Sequence, residues 1–352
     1  MHVGKTKSVC HLIFYVFVVT AISHCSSEDK AQAAAVNSPA AMLLDEKLKH
    51  YNLLYPDIQF INFSGGDETN EDMLALDLLL GYAPISLDYE HPAKLREDLI
   101  YVSASRILLM LESQSPSASL FRAEHAYEGA KNICVLTIDA DEVAADTSKA
   151  TQHLLHPVLY EQLKIPEKMR LLADEYLAFV IDHEVYHCLR SMYIGPQLMS
   201  DKELWGEYNN FLGDQGADAY ALLMHYKTRK QVSAFPENII RMRGMSLYNA
   251  DPDHLTYSTL EQVIKLQTEK ITRLDDKDIF NMAYRIKKKT AIDYDEYKQY
   301  LASAIEAMKR IGVNAKQVDE LYEQVKDIKA DPLMVRQLVS NSRHCLEQLN
   351  GM

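Results

Sequence analysis

The stretch Tyr176-Leu-Ala-Phe-Val-Ile-Asp-His-Glu-Val-Tyr-His-Cys188 decides how the rest of the chain is read. Leu172, Tyr176, Phe179 and Val180 recur at helical intervals, and the same stripe continues onto His183 and His187. Pro166-Glu-Lys supplies the proline and acidic residue that a first helical turn favours, and Gly195-Pro196 ends the pattern. The spacing predicts a helix from Pro166 to about Met192. Residues four apart lie one turn apart on one face, so both imidazoles can converge on one metal ion. Glu184, offset by one position, reaches the side from which water would approach. Zinc at such a place polarises a carbonyl and acidifies water, while the carboxylate takes the proton and hands it to the leaving amine.

A catalytic zinc keeps three protein ligands and one open position, so a third side chain must come from elsewhere. A second helix, predicted over about Asp201 to Lys230, carries Glu203, Glu207, Asp214, Asp218 and His225. In Asp214-Gln-Gly-Ala-Asp218 the small Gly216 and Ala217 would let it pack closely on the first helix. Asp214 is then the candidate ligand. Asp218, one turn on, would hold the free ring nitrogen of a ligand histidine and fix its tautomer.

These two helices resemble those of the thermolysin-like zinc peptidases, the gluzincins, whose second helix carries a zinc-binding Glu followed by an Asp four residues later. The form with Ala before that Asp is most similar to the membrane-associated peptidases that process prenylated proteins, and to their soluble relatives. The resemblance covers about residues 167–226. It implies that His183, Glu184 and His187 take the usual places, that Asp218 is the supporting Asp, and that Asp214 stands where Glu is expected. Asp is shorter by one methylene, so either the helices approach more closely or the ligand is Glu207. Glu207 lies 20 residues after His187, the thermolysin-like interval, but Phe211 occupies the place of its supporting Asp. Asp214 is preferred and Glu207 is the alternative.

The resemblance also implies an α+β, predominantly helical zincin-like fold, with a small mixed sheet preceding the active-site helix. An edge strand of that sheet would pair with an extended substrate. The candidate is Asn132-Ile-Cys-Val-Leu-Thr-Ile-Asp139, short, rich in β-branched residues and bounded by polar ones. His254, in the polar turn Asp251-Pro-Asp-His-Leu-Thr-Tyr257, is a candidate donor to the developing oxyanion, with Tyr257 behind it. Arg241 and Arg243, in a loop region punctuated by Pro236 and Gly244, could recognise a carboxylate, but a loop arginine is usually just solvated. His153 and His156, followed at once by Pro157, read as surface or capping residues, and His125 and His225 as surface or packing residues.

Bulk properties fit this picture. The 352 residues, 47% hydrophobic and 25% charged, describe a globular protein with a real core. A formal charge of -13 without a basic stripe argues against nucleic acid as a partner. Lys5 and Lys7 precede an apolar run from Leu12 to Ile22 that is short for a membrane span, and Ala21 and Ser23 suit a signal peptidase. Residues 1–23 therefore read as a secretion signal and 24–40 as a flexible linker. A mixed α/β part over 41–195 and a helical part over 196–352 follow, with no transmembrane domain in the mature chain. Cys25 after the bulky His24 makes a poor lipidation site. Of the other cysteines, Cys134, Cys188 and Cys345, none shows paired zinc spacing; one disulfide is compatible with export, and Cys188 reads as a small buried apolar group.

The expectation is an exported, periplasmic or extracellular, zinc-dependent hydrolase of protein or peptide substrates. The alternative is a zinc-binding adhesion or inhibitor-like module on the same scaffold without turnover.

Overall fold

The computed structural model of the chain describes residues 38–62, 116–121, 132–144, 172–194, 205–229, 233–266, 268–313, 318, 323 and 325–350. The expected signal segment and most of the linker lie outside these residues. So do Cys25, His125, His153, His156 and Glu203, and the stretches Glu71–Leu80 and Pro92–Glu112, whose periodicity predicts helices.

Helix α1 (Pro39–Leu54) starts where Ser38 accepts a hydrogen bond from the Ala41 amide at 3.0 Å and Pro39 presets the first turn. It begins just inside the expected linker. Its buried residues Leu44, Leu48 and Tyr51 keep a helical interval. Strands β1 (Ile58–Asn62), β2 (Ser117–Phe121) and β3 (Asn132–Thr137) form a sheet in the order β1-β3-β2. β1 runs parallel to β3 and β2 antiparallel to it, with Cys134 opposite both Phe60 and Leu120. The expectation that Asn132–Asp139 is an edge strand open to a substrate is therefore overturned. β3 is central, hydrogen-bonded on both sides, and its continuous apolar run Ile133–Leu136 is what a strand buried on both faces requires.

After the short α2 (Ala140–Ala144) come the two long helices, α3 (Ala173–Tyr193) and α4 (Trp205–Thr228). α5 (Phe235–Gly244) occupies the region read as a loop. Pro236 stands in its first turn, where proline starts a helix rather than breaking one, and Arg241 and Arg243 sit in its last turn beside the carbonyl ends. A 3-10 turn (Ser246–Asn249), α6 (Tyr257–Ile264), α7 (Thr268–Ile271), α8 (Asp276–Thr290), α9 (Tyr294–Ile311) and α10 (Pro332–Asn350) complete the described elements. An Asp293/Glu296 capping box opens α9, and Gly312, in the left-handed region at φ 88°, closes it. Among the described residues no helix is long and apolar enough to cross a membrane.

Among the described residues two apolar clusters hold the fold. One gathers the sheet with α1, α3, α8 and the second half of α4 (Ala217–Met224). The other gathers Tyr208, Phe211 and Leu212 from the first half of α4 with α9 and α10. Asp214 falls at the changeover between them.

Behind α3, Asp182 is 2% exposed and receives Lys47 Nζ at 2.7 Å and the Tyr51 hydroxyl at 2.5 Å, which locks α1 to the residue before His183. Cys188 is not a lone apolar group: it is disulfide-bonded to Cys134, joining α3 to the central strand. The bridge spans 54 residues of sequence, and closing a loop of that size in the unfolded chain is worth about 4 kcal/mol in a chain-entropy account. A Cys134→Ser/Cys188→Ser double variant is expected to lose about that much stability in urea unfolding. Equal unfolding midpoints with and without reductant would show that the bridge contributes nothing.

Candidate metal centre

His183 and His187 project from one face of α3 toward α4. The two helices meet closely because α4 offers glycine at two contact points. A Cβ on Gly216 would overlap the Tyr186 ring, and one on Gly213 would come within 3.0 Å of Arg190 Nη1 and 3.3 Å of the His187 ring. This proximity lets the short Asp214 side chain reach both histidines. His183 Nε2 and His187 Nε2 are 3.2 Å apart, and Asp214 Oδ1 lies 3.6 Å from the first and 3.3 Å from the second.

Donors about 2.0–2.1 Å from a tetrahedral ion stand about 3.3 Å from one another. The three observed separations agree with that edge. Two imidazole nitrogens and a carboxylate oxygen are also the donor types that such an ion takes. His183, His187 and Asp214 thus form a largely buried group that could hold a metal ion. Glu207 is outside this group: it stands two turns earlier on α4, half-buried, with its charge acting on Asp253 and Tyr297.

Asp218, one turn beyond Asp214 on α4, is fully buried. Its Oδ1 sits 2.7 Å from His183 Nδ1, which places the ring proton there and leaves Nε2 facing Asp214 and His187. Arg243 donates from Nη2 to Oδ1 at 2.9 Å and brings Nε to 2.8 Å from Oδ2, while Thr256 Oγ1 donates to Oδ2. The expectation of a solvated Arg243 is overturned, since it is 8% exposed and its charge is spent on Asp218. Burial alone would raise the Asp218 carboxyl; the Arg243 charge and the His183 contact outweigh it and hold the group below the usual carboxylate range. Burial would likewise lower His183, but its bonds to Asp214 and Asp218 push it up to about 10.

No family model matches the chain, and neither does any curated protein or solved structure. The reading of the centre therefore rests on its own residues. Glu184, 8% exposed, follows His183 on α3, and its charge reaches His183 and Tyr176. No described side chain hydrogen-bonds to its carboxylate. His254 comes in from the turn before α6: its ring centroid is 6.0 Å from that of His183, and its Nε2 is 3.9 Å from Asp214 Oδ2. Asp251, which the sequence reading left without a role, orients it by accepting from Nδ1 at 2.7 Å and from the His254 amide at 3.3 Å.

Tyr257 is engaged by Asn341 of α10 and is not part of the group. His225 packs against Phe235 with ring centroids 4.7 Å apart, and burial lowers it to about 4, in keeping with a packing role. The supporting residues that sequence reasoning missed are Arg243, Thr256 and Asp251. Only Asp251 left a signal, its spacing of three from His254 in a turn.

Two outcomes follow. Asp218→Asn removes the fixed charge behind His183 and is expected to weaken zinc binding about 10- to 100-fold in a chelator competition, with the helical signal unchanged. Unaltered affinity would contradict the support role. Because the doubly protonated ring of His183 persists up to about 10, an incoming ion must displace its Nε2 proton while the Nδ1 proton stays hydrogen-bonded to Asp218, whereas Asp214 lies well below the usual carboxylate range despite its burial and needs no deprotonation. Apparent affinity is therefore expected to rise with pH between about 6 and 9, by up to about tenfold per unit for each proton displaced. Calorimetry in buffers of different ionisation heat counts those protons, and a pH-independent affinity would exclude them.

Proposed function

We propose that the chain is a zinc-dependent peptidase with Glu184 as its general base. The observation that carries this reading is the buried Glu184 carboxylate next to three converging donors at tetrahedral separations. His183, His187 and Asp214 would hold the ion, and bound zinc would polarise the scissile carbonyl and lower the pKa of water. Glu184 takes a proton from the attacking water and delivers it to the leaving amine. His254, steered by Asp251, donates from Nε2 to the oxygen that gains charge. Asp218, Arg243 and Thr256 touch no substrate in this scheme; they keep His183 in one tautomer and orientation.

The zincin-like fold and the gluzincin affinity belong to the same proposal. They are supported by the order of the motif, by Asp214 and Asp218 on the facing helix, and by the mixed sheet ahead of α3. Export to the periplasm or the extracellular space is supported by the Cys134–Cys188 bridge, a kind of bond that persists in oxidising compartments. A zinc-binding module without turnover is the weaker reading, because it gives Glu184 no task.

Purified protein is expected to cleave an unstructured protein such as casein, with activity removed by chelation and restored by zinc. Glu184→Gln is expected to lower kcat by at least about 100-fold while retaining stoichiometric zinc. Zinc bound at full stoichiometry with no cleavage by the unaltered chain would favour the binding module instead.

A further inference from the structure

We propose that a cavity between the end of α9 and one face of α10 is an anion site for a small phosphate compound bearing at least two negative charges. The cavity has a volume of about 610 Å³, within the range of small-molecule sites. Arg336, Ser340, Arg343 and Glu347 recur at intervals of four, three and four, so α10 presents them as one stripe. Arg310, from the last turn of α9, lines the same space, as does His344.

The electrostatic balance of this cavity is the reverse of the molecule's. The whole chain carries -13, yet among the described residues three guanidinium groups and an imidazole line the cavity beside one carboxylate, Glu347, with Glu306 paired to Arg310 next to it. Two of the arginines are anchored in a way that leaves their ends available. Arg310 is held through Nε, which donates to Glu306 at 3.0 Å, and Arg336 through Nε, which donates to the Pro332 carbonyl at 3.2 Å. Their terminal nitrogens, and all those of Arg343, make no hydrogen bond to a described residue. Gln348 donates from Nε2 to His344 Nε2 at 2.9 Å, so a neutral His344 carries its ring proton on Nδ1 and adds another donor.

Anchored at Nε, a guanidinium is a fixed planar fork suited to two oxygens of one anion. Two such forks, together with the guanidinium of Arg343, offer more donors than a lone carboxylate can accept, and match the many oxygens of a diphosphate or bisphosphate. Arg310, Arg336 and Arg343 are exposed residues, and Arg310 pairs with Glu306 through Nε, leaving its terminal nitrogens for an anion.

Titration of the full chain with inorganic pyrophosphate at about 50 mM salt tests the site, because exposed charges are screened as salt rises. One saturable event is expected, weakened about tenfold by Arg343→Gln and about 100-fold by Arg336→Gln/Arg343→Gln, since a charge-assisted hydrogen bond is worth about one decade of affinity. Both positions are exposed and outside the metal centre, so zinc content and the helical signal are expected to stay unchanged. Citrate, a polycarboxylate, is expected to bind more weakly than pyrophosphate. Citrate binding as tightly would overturn the assignment to phosphate. No saturable binding, or binding undiminished in the double variant, would overturn the site itself, the second result placing the anion on the metal group instead.

Discussion

The close approach of α3 and α4 is the constraint on which the centre depends. Side chains at Gly213 and Gly216 would hold the helices apart, and the shorter acid at position 214 could not then reach both imidazoles. The chain thus combines a short carboxylate with a narrow interhelical gap where a longer carboxylate would suit a wider one. Tyr186 fills the space over Gly216, and its buried hydroxyl has no hydrogen-bond partner among the described residues, consistent with a packing site shaped by contact rather than by hydrogen bonding.

Around that contact the polar groups are organised in depth. Asp218 touches His183 on one side and Arg243 on the other, and Arg243 belongs to α5, so the orientation of one imidazole depends on three helices and on Thr256 before α6. Removing one partner from such a buried set leaves an uncompensated charge, which is why the members act as a unit. On the far side of α3, Lys47 and Tyr51 hold Asp182, and the Cys134–Cys188 bridge pins the residue after His187 to the sheet. The motif is therefore fixed at both ends before any ligand arrives. Rigid first contacts supported by a second set of bonds are what a metal centre needs to hold its geometry.

Much of the centre was legible in the sequence because it depends on local periodicity. The i, i+4 histidines, the i, i+4 aspartates and the helical stripes needed only the pitch of a helix to be placed on facing surfaces, and α9 was bounded by caps that sequence displays openly. What depended on long-range pairing was not legible. Asn132–Thr137 has the composition of a strand, but its central position comes from β1 and β2, and β2 is a short Ser-Ala-Ser-Leu-Phe segment with little strand character of its own. Cys188 could not be matched with Cys134 without the sheet and helix being brought together. α5 was hidden because a proline punctuates a chain as readily as it starts a helix, and Pro236 stands in a starting turn; the buried role of Arg243 was hidden with it.

The central claim is that one ion is shared by two imidazoles and the Asp214 carboxylate. A crystal structure of the zinc-loaded protein, with anomalous data at the zinc edge, measures this directly. The account predicts one zinc at full occupancy, bound by His183 Nε2, His187 Nε2 and an Asp214 oxygen at about 2.0–2.2 Å, with a further position open to solvent. Zinc held by Glu207 in place of Asp214, or histidine rings facing separate environments with no ion between them, would contradict it.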